Sequence, residues 1–141
     1  MGANVSGRAE YMREYNRRPE RVRRTAHRKA RLRAAERDIP FTITVEDIPE
    51  VPSHCPALGI PMAQGDSSGG RTTAPCLDRL VPAFGYVPGN IIWISHLANA
   101  IKAYADVREI YAVADWLHEE YKKRGYPCPT PGAVIASKSE G

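Results

Sequence analysis

The sequence is poor in cysteine and has no close cysteine pairs. It contains three cysteines, Cys55, Cys76 and Cys128, and no two of them form a CxxC motif. An odd number of isolated cysteines argues against the disulfide framework of a small secreted domain, and it argues against a complete zinc finger. We therefore expect reduced cysteines in a cytoplasmic compartment.

Long apolar runs are also missing. No stretch approaches the ~18 to 20 apolar residues that a membrane-spanning helix needs. The N-terminal MGANVSGRAEYMREYNRR has no apolar segment of the signal-peptide kind. A hydrophobic fraction of 43% suits a folded chain with one domain plus appendages. We expect no membrane partner.

Arginine is concentrated near the N-terminus. Twelve basic and five acidic residues precede Pro40, which gives this segment a net charge of +7 in a chain of net charge +4. Arginine favours bidentate contacts with phosphate, so the predicted partner is nucleic acid. The alternative is a solvated charged helix that binds nothing. The candidate nucleic-acid-binding residues are Arg17, Arg18, Arg21, Arg23, Arg24, Arg28, Lys29, Arg31 and Arg33.

Composition predicts two helices in this basic segment, over residues 7–17 and 19–38, with Pro19 at the first position of the second. Apolar residues are sparse in both. We therefore expect residues 1–40 to form a basic helical arm that projects from the core or becomes fully ordered only on a partner.

The rest of the chain alternates extended and helical patterns. We expect a flexible loop over 64–71, strands over 73–80 and 91–94, and a helix over about 96–103 capped by Ser95. Asp106 and Glu109 have the spacing of a capping box for a last helix that ends at Gly125. Its apolar stripe is predicted to pack in the core, and consists of Val107, Ile110, Tyr111, Ala114, Leu117 and Tyr121. The tail over 126–141 is predicted to be poorly ordered.

Two polar residues stand out between these elements. Asp78 lies on the first predicted strand, and Asn99 lies one turn into the helix that follows the second strand. Two strands with a helix packed across them can bring such residues together. One carboxylate and one amide oxygen, completed by waters, suit a hard cation such as Mg²⁺. A cation held on a phosphate can stabilise the charge that develops in phosphodiester cleavage.

The order of motifs in this region resembles that of a known nuclease family. LDR at 77–79, GYVPGN at 85–90 and IIWIS at 91–95 are followed by Asn99 and Lys102. This order is similar to that of the HNH, or His-Me finger (ββα-metal), nucleases, and in particular to small phage-type members. CPALGIPM at 55–62 resembles the segment that precedes the motif, so the resemblance covers about residues 41–105.

The resemblance implies an α+β fold with a ββα-metal core. The predicted domains are then the arm over 1–40, an HNH-like core with a C-terminal amphipathic helix over 41–125, and the tail over 126–141. It further implies that Asp78 and Asn99 hold the metal, that Asn90 has a structural role, and that Lys102 lies near the scissile phosphate.

The sequence departs from the family at the general base. The family's His is replaced by Arg79, whose guanidinium stays protonated and cannot accept a proton from water. Arg79 could instead clamp the phosphate. A substitute base could be His96, His54 or Tyr86, or a metal-bound hydroxide could act without a protein base.

The cysteine pairs that hold a structural zinc in many members are incomplete as well. Leu58 stands where the partner of Cys55 would be, and Ser95 and Ala98 occupy the second pair. We predict no structural zinc, with apolar packing by Leu58, Ile60, Leu97 and Ala98 in its place.

The resulting hypothesis is a Mg²⁺- or Mn²⁺-dependent DNA endonuclease that hydrolyses phosphodiester bonds and could nick one strand. One alternative is an HNH-fold nucleic-acid-binding module that has lost catalysis, and another is an assembly protein that uses the basic arm. In a purely structural interpretation, Asp78 and Arg79 form an ion pair at the end of the strand. DNA is the expected partner, and RNA is the alternative partner. A phage origin would place the protein in the cytoplasm of the host cell.

Overall fold

The computed structural model describes residues 3–63, 73–130 and 132, and it combines helices with one small sheet. The helices and strands in chain order are α1 (Ala3–Asn16), α2 (Pro19–Arg37), β1 (Pro75–Arg79), β2 (Ile91–Ser95), α3 (His96–Lys102) and α4 (Val107–Arg124). Short 3₁₀ turns lie at Val45–Asp47 and Pro82–Phe84. The fold class is therefore α+β. The predicted loop over 64–71 and most of the predicted tail lie outside the described residues.

Local sequence signals account for the helix ends. Pro19 occupies the first turn of α2, and the Ser95 hydroxyl accepts a hydrogen bond from the Ala98 amide at the start of α3. The predicted capping box of Asp106 and Glu109 is present at the start of α4. Gly125 ends α4 in the left-handed conformation that glycine adopts most easily.

The two strands pair antiparallel, with Leu77 opposite Trp93 and Asp78 opposite Ile92. Because successive side chains of a strand point to opposite faces, the sheet has two distinct surfaces. Leu77 and Trp93 belong to one apolar cluster, together with Ile43, Ile48 and Tyr86. Ile92 and Ile94 belong to a second cluster.

The second cluster contains the side chains expected to replace a zinc site. Ile60 and Ala98 are buried in it beside Cys55, and Leu58 and Leu97 pack against it. The predicted apolar packing is therefore confirmed.

The prediction that the basic arm projects from the core is wrong for α2. Ala30 and Ala34 are each only 3% exposed and lie in the same cluster as Trp93. Val22 and Ala26 pack against that cluster as well. Small side chains at helical spacing let the α2 backbone approach the core closely, so few apolar atoms suffice to hold it there.

The prediction that the α4 stripe packs in the core is also wrong. None of the 18 described residues of α4 is buried. Val107 is 63% exposed and Tyr111 is 67% exposed. The helical periodicity was interpreted correctly, but the described residues leave most of this apolar face exposed.

In the part of the chain that the structure describes, no helix combines the length and the apolar character needed to cross a membrane.

Candidate functional site

The contact between β1 and α3 brings together three of the predicted site residues. Lys102 Nζ lies 3.0 Å from Asp78 Oδ2 and donates a 2.8 Å hydrogen bond to the carbonyl oxygen of Arg79. Asn99, one turn earlier on α3, directs its side-chain amide to Cys76 Sγ at 3.6 Å. Since Cys76 and Asp78 share a face of β1, Asp78, Asn99 and Lys102 all belong to this contact.

The Asp78 carboxylate is enclosed but not fully satisfied. Its side chain is 14% exposed and that of Lys102 is 22% exposed. Asp78 Oδ2 is buried and receives no hydrogen bond from the part of the chain that the structure describes, so Lys102 stabilises it as a charge rather than as an aligned donor. A buried oxygen of this kind has unused capacity to bind a cation or a donor.

An apolar groove opens beside this pair. The groove has a volume of 380 Å³ and is lined by Asp78 and Lys102 together with apolar side chains that include Leu58, Leu80, Ile92, Ile101 and Ile110. Apolar walls lower the local dielectric constant, which strengthens the attraction between Asp78 and any cation near it.

Arg79 points away from Asp78. Its guanidinium carbon lies 5.2 Å from the centroid of the Tyr86 ring, and Nη1 donates to the carbonyl oxygen of Pro82 at 3.1 Å. The ion pair proposed between Asp78 and Arg79 is therefore wrong, because Asp78 pairs with Lys102. The alternation of side chains along β1 explains this, since adjacent residues face opposite sides of the sheet.

Asn90 holds together the connection between the two strands. It is 5% exposed, its side-chain oxygen accepts from the Val81 amide, and its side-chain nitrogen donates to the carbonyl oxygens of Val81 and Gly85. Gly85 approaches Pro40 so closely that a Cβ would lie 2.5 Å from the Pro40 oxygen. These contacts fix the end of β1, and with it the position of Asp78.

The candidate substitute bases are dispersed. His96 is exposed at the start of α3, and the side chain of His54 pairs with the Ser53 hydroxyl in an exposed hairpin arm. Tyr86 is 2% exposed, and its hydroxyl accepts a hydrogen bond from Arg33. Enclosure of this kind leaves Tyr86 without a path to a substrate.

The predicted nucleic-acid residues do not share one surface: Arg17 and Arg18 precede α2, and the others lie on several faces of that helix. Arg21, Arg28, Lys29 and Arg33 line a basic groove of 690 Å³ whose opposite wall is formed by residues 74–77 and Trp93. Arg23 and Arg24 lie instead beside Val45 and Glu46, while Arg18 and Arg21 stack on Tyr15. Arg17 and Arg31 are exposed. The sequence predicted a basic helix, but it did not predict that β1 would form the other wall of a groove.

Two ionisable groups at this groove have shifted pKa values. The hydrogen bond with Tyr86 raises the pKa of Arg33, which keeps this guanidinium charged at any physiological pH. Burial raises the pKa of the Cys76 thiol; the nearby Arg33 opposes this shift and Asp78 adds to it. Cys76 is half-buried, and it stays a neutral thiol at neutral pH.

Within the described ranges we find no cluster of three or more His, Cys, Asp or Glu side chains that could hold a metal ion. The candidate set is thus limited to one carboxylate and one amide. Mg²⁺ characteristically retains several waters and uses one or two carboxylates plus substrate phosphates, so hard oxygen donors from Asp78 and Asn99 fit it. The buried Asp78 Oδ2, which has Lys102 as a charged neighbour but no aligned hydrogen bond from the described residues, supports this fit.

No family model, curated protein or solved structure matches this chain.

Proposed function

We propose that this protein is a divalent-metal-dependent DNA endonuclease whose active centre lies where α3 packs on β1. The observation that carries the proposal is the buried Asp78 Oδ2, which receives no hydrogen bond from the described residues and faces the Lys102 ammonium at 3.0 Å. A structural ion pair would be expected to satisfy its buried oxygen. An oxygen left with spare capacity fits a position that receives a cation when substrate is bound.

In this proposal β1, β2 and α3 form a ββα-metal core. Asp78 and Asn99 would hold Mg²⁺ or Mn²⁺, which would polarise the scissile phosphate and stabilise its developing charge. Lys102 is long and flexible, and it would release Asp78 to donate to a phosphate oxygen. Asn90 maintains the strand connection that positions Asp78.

The basic groove supplies affinity for DNA. Arg21, Arg28, Lys29 and Arg33 place four positive charges along one wall of a groove that runs beside β1. Contacts of this type are insensitive to sequence and release counterions, so binding should weaken steeply as salt increases. The groove and the Asp78 pair both involve β1, although Leu77 in the groove wall and Asp78 point to opposite faces of this strand.

A second candidate function is nucleic-acid binding without cleavage. What favours it is Arg79, which stands where the family resemblance would put the general base; its guanidinium packs on Tyr86 and donates to the carbonyl oxygen of Pro82. An arginine there cannot accept a proton. Under this alternative, Lys102 permanently neutralises Asp78.

Nicking of supercoiled plasmid at low salt separates the two candidates. Wild type, Asp78→Asn, Arg79→His and the matched control Asp115→Asn are incubated with Mg²⁺, Mn²⁺ or EDTA. Asp115 lies on exposed α4, so its substitution makes the same chemical change away from the site.

The endonuclease proposal predicts metal-dependent nicking by wild type and by Asp115→Asn. It predicts that Asp78→Asn lowers the nicking rate by at least about 100-fold. Substitution of a residue that only hydrogen-bonds to a metal ligand already lowers activity or metal affinity by about 10- to 100-fold. An inert wild type with nicking by Arg79→His would support the second candidate. In a third outcome, wild type and Arg79→His both slow the migration of the plasmid but neither nicks it. This result would refute cleavage, and DNA binding by the basic groove would remain as the function.

A further inference from the structure

The basic groove between α2 and β1 has a charged rim and an apolar floor. The floor includes Val22, Ala26 and Leu77, which pack against the core cluster that contains Trp93 but stay partly exposed. The rim consists of Arg21, Arg28, Lys29 and Arg33. Phosphates bound at the rim alone would leave this floor in water. A ligand that matches the whole groove therefore combines negative charge with apolar surface.

The charges of the rim are available to a ligand. All four side chains are exposed, and in the part of the chain that the structure describes no acidic residue lines the groove or forms an ion pair with them. Arg33 is held by its 3.3 Å hydrogen bond to the Tyr86 hydroxyl, and Arg21 lies 5.5 Å from the centroid of the Tyr15 ring. Neither contact neutralises the charge, so two of the four cations are positioned before anything binds.

The opposite wall of the groove is an edge of β1. It is lined by the consecutive residues 74–77, whereas one face of a strand would contribute only every second residue. A sheet edge can accept an added peptide strand, but Pro75 begins this strand and has no amide hydrogen to donate. An acidic peptide is therefore a poorer match for the groove than a nucleic acid.

The shape of the groove distinguishes single-stranded DNA from duplex. Arg21 and Arg33 lie at the two ends of the rim, about 18 Å apart along α2 at about 1.5 Å per residue. The bases of a duplex are stacked inside it, so a duplex can contact the rim but cannot place a base on the floor. A single strand can turn its bases toward the floor while its phosphates follow the rim.

We propose that the basic groove binds single-stranded DNA, with the phosphates at the rim and the bases on the floor. The inference rests on the proposed function, since it names the form of DNA that the groove takes. The position of Asp78 agrees with it, because Asp78 and Leu77 point to opposite faces of β1. A flexible single strand that leaves the groove can pass around the edge of β1 toward Asp78, whereas a duplex is too stiff to do so.

Fluorescence anisotropy of the full chain in EDTA tests this preference without any cleavage. The probes are a labelled single strand of about 12 nucleotides, which is within the usual range of site sizes, and the duplex of the same sequence. The single strand should bind at least about 10-fold more tightly, because one base on the floor suffices for a difference of this size. The preference should widen as salt rises, since a single strand releases fewer counterions per phosphate.

A matched pair of variants tests the role of the floor. Ala26→Leu fills part of the floor, and Ala35→Leu makes the same change at an exposed position of α2 outside the groove. Ala26→Leu should weaken binding of the single strand by about 10-fold and leave duplex binding unchanged, and Ala35→Leu should bind both probes like wild type. Circular dichroism and urea unfolding check that both variants are folded.

Photocross-linking of wild type to a single strand that carries iodouracil does not depend on any variant. Adducts should map to residues 21–33 or 74–77. Four results would overturn the inference: equal affinity of wild type for the two probes, a folded Ala26→Leu that keeps the preference, adducts confined to other residues, or poly-glutamate that displaces the single strand as well as unlabelled DNA does. Each of them could occur while the protein still nicks plasmid. Conversely, a strong preference for the single strand without any nicking would refute the endonuclease proposal alone.

Discussion

Lys102 connects α3 to β1 by contacting Asp78 and the backbone of Arg79 at the same time. Its Nζ lies 3.0 Å from the Asp78 carboxylate and 2.8 Å from the Arg79 carbonyl oxygen. The same lysine therefore holds the helix against the strand and neutralises the acid that is proposed to bind the metal. Substituting Lys102 and Asp78 singly and together separates the contribution of this pair to stability from its proposed role in cleavage.

Lys102→Met should destabilise the fold by about 1 to 3 kcal/mol, since it leaves a largely buried carboxylate unpaired. Adding Asp78→Asn to Lys102→Met should restore at least half of the lost free energy of unfolding, because the double variant no longer has an unpaired carboxylate. Urea unfolding of the two single variants and the double variant measures this coupling. Strictly additive effects would show that the two charges do not interact.

Asn90→Asp should destabilise the protein by about 2 to 4 kcal/mol. The substitution keeps the shape but removes the donor that serves two carbonyl oxygens, and it places a carboxylate against them in a buried position. Asn16→Asp, at an exposed position, is the matched control. Equal unfolding midpoints for the two variants would contradict the structural role of Asn90.

Substitutions in the basic groove should change the salt dependence of DNA binding. Arg28→Gln with Lys29→Gln removes two charges from the groove wall, which should lower the slope of log K against log salt by about 2. Arg8→Gln with Arg13→Gln removes two charges from α1, outside the residues that line the groove, and should lower the slope less. Fluorescence anisotropy with a short duplex at several salt concentrations gives both slopes. Equal slopes for the two double variants would mean that the groove contributes no more to DNA binding than the charges on α1.

Removal of metal should leave the stability of the free protein unchanged. Cys55 is 1% exposed, and its sulfur accepts a 3.3 Å hydrogen bond from the Ser95 amide within an apolar cluster. We expect this packing to make a structural zinc unnecessary. We expect the same melting temperature before and after dialysis against EDTA, with negligible zinc by mass spectrometry. A melting temperature that falls on chelation would indicate a structural metal.

The sequence predicted local structure well where the signal is local. The Ser95 cap and the Asp106–Glu109 box were predicted because each depends on residues a few positions apart. The alternation along β1 was also available, and it would have placed Asp78 and Arg79 on opposite faces. Adjacency in sequence alone suggested the ion pair, but adjacent side chains of a strand do not point the same way.

Tertiary contacts account for what was missed. The burial of Ala30 and Ala34 could not be predicted from a helix so rich in arginine, because their small side chains give little periodic signal. The helical period of α4 showed an apolar face, but periodicity does not indicate what covers it. The contact between Lys102 and Asp78 likewise depends on how α3 packs on β1.

The central claim is that Asp78 takes part in metal-dependent cleavage of DNA. The most direct measurement is the single-turnover nicking rate of supercoiled plasmid with Mg²⁺, for wild type and Asp78→Asn, at protein concentrations at which both bind all of the DNA. The account predicts nicking by wild type that EDTA abolishes, and a rate at least about 100-fold lower for Asp78→Asn. Equal rates for the two proteins, or an inert wild type that binds the plasmid fully, would contradict it.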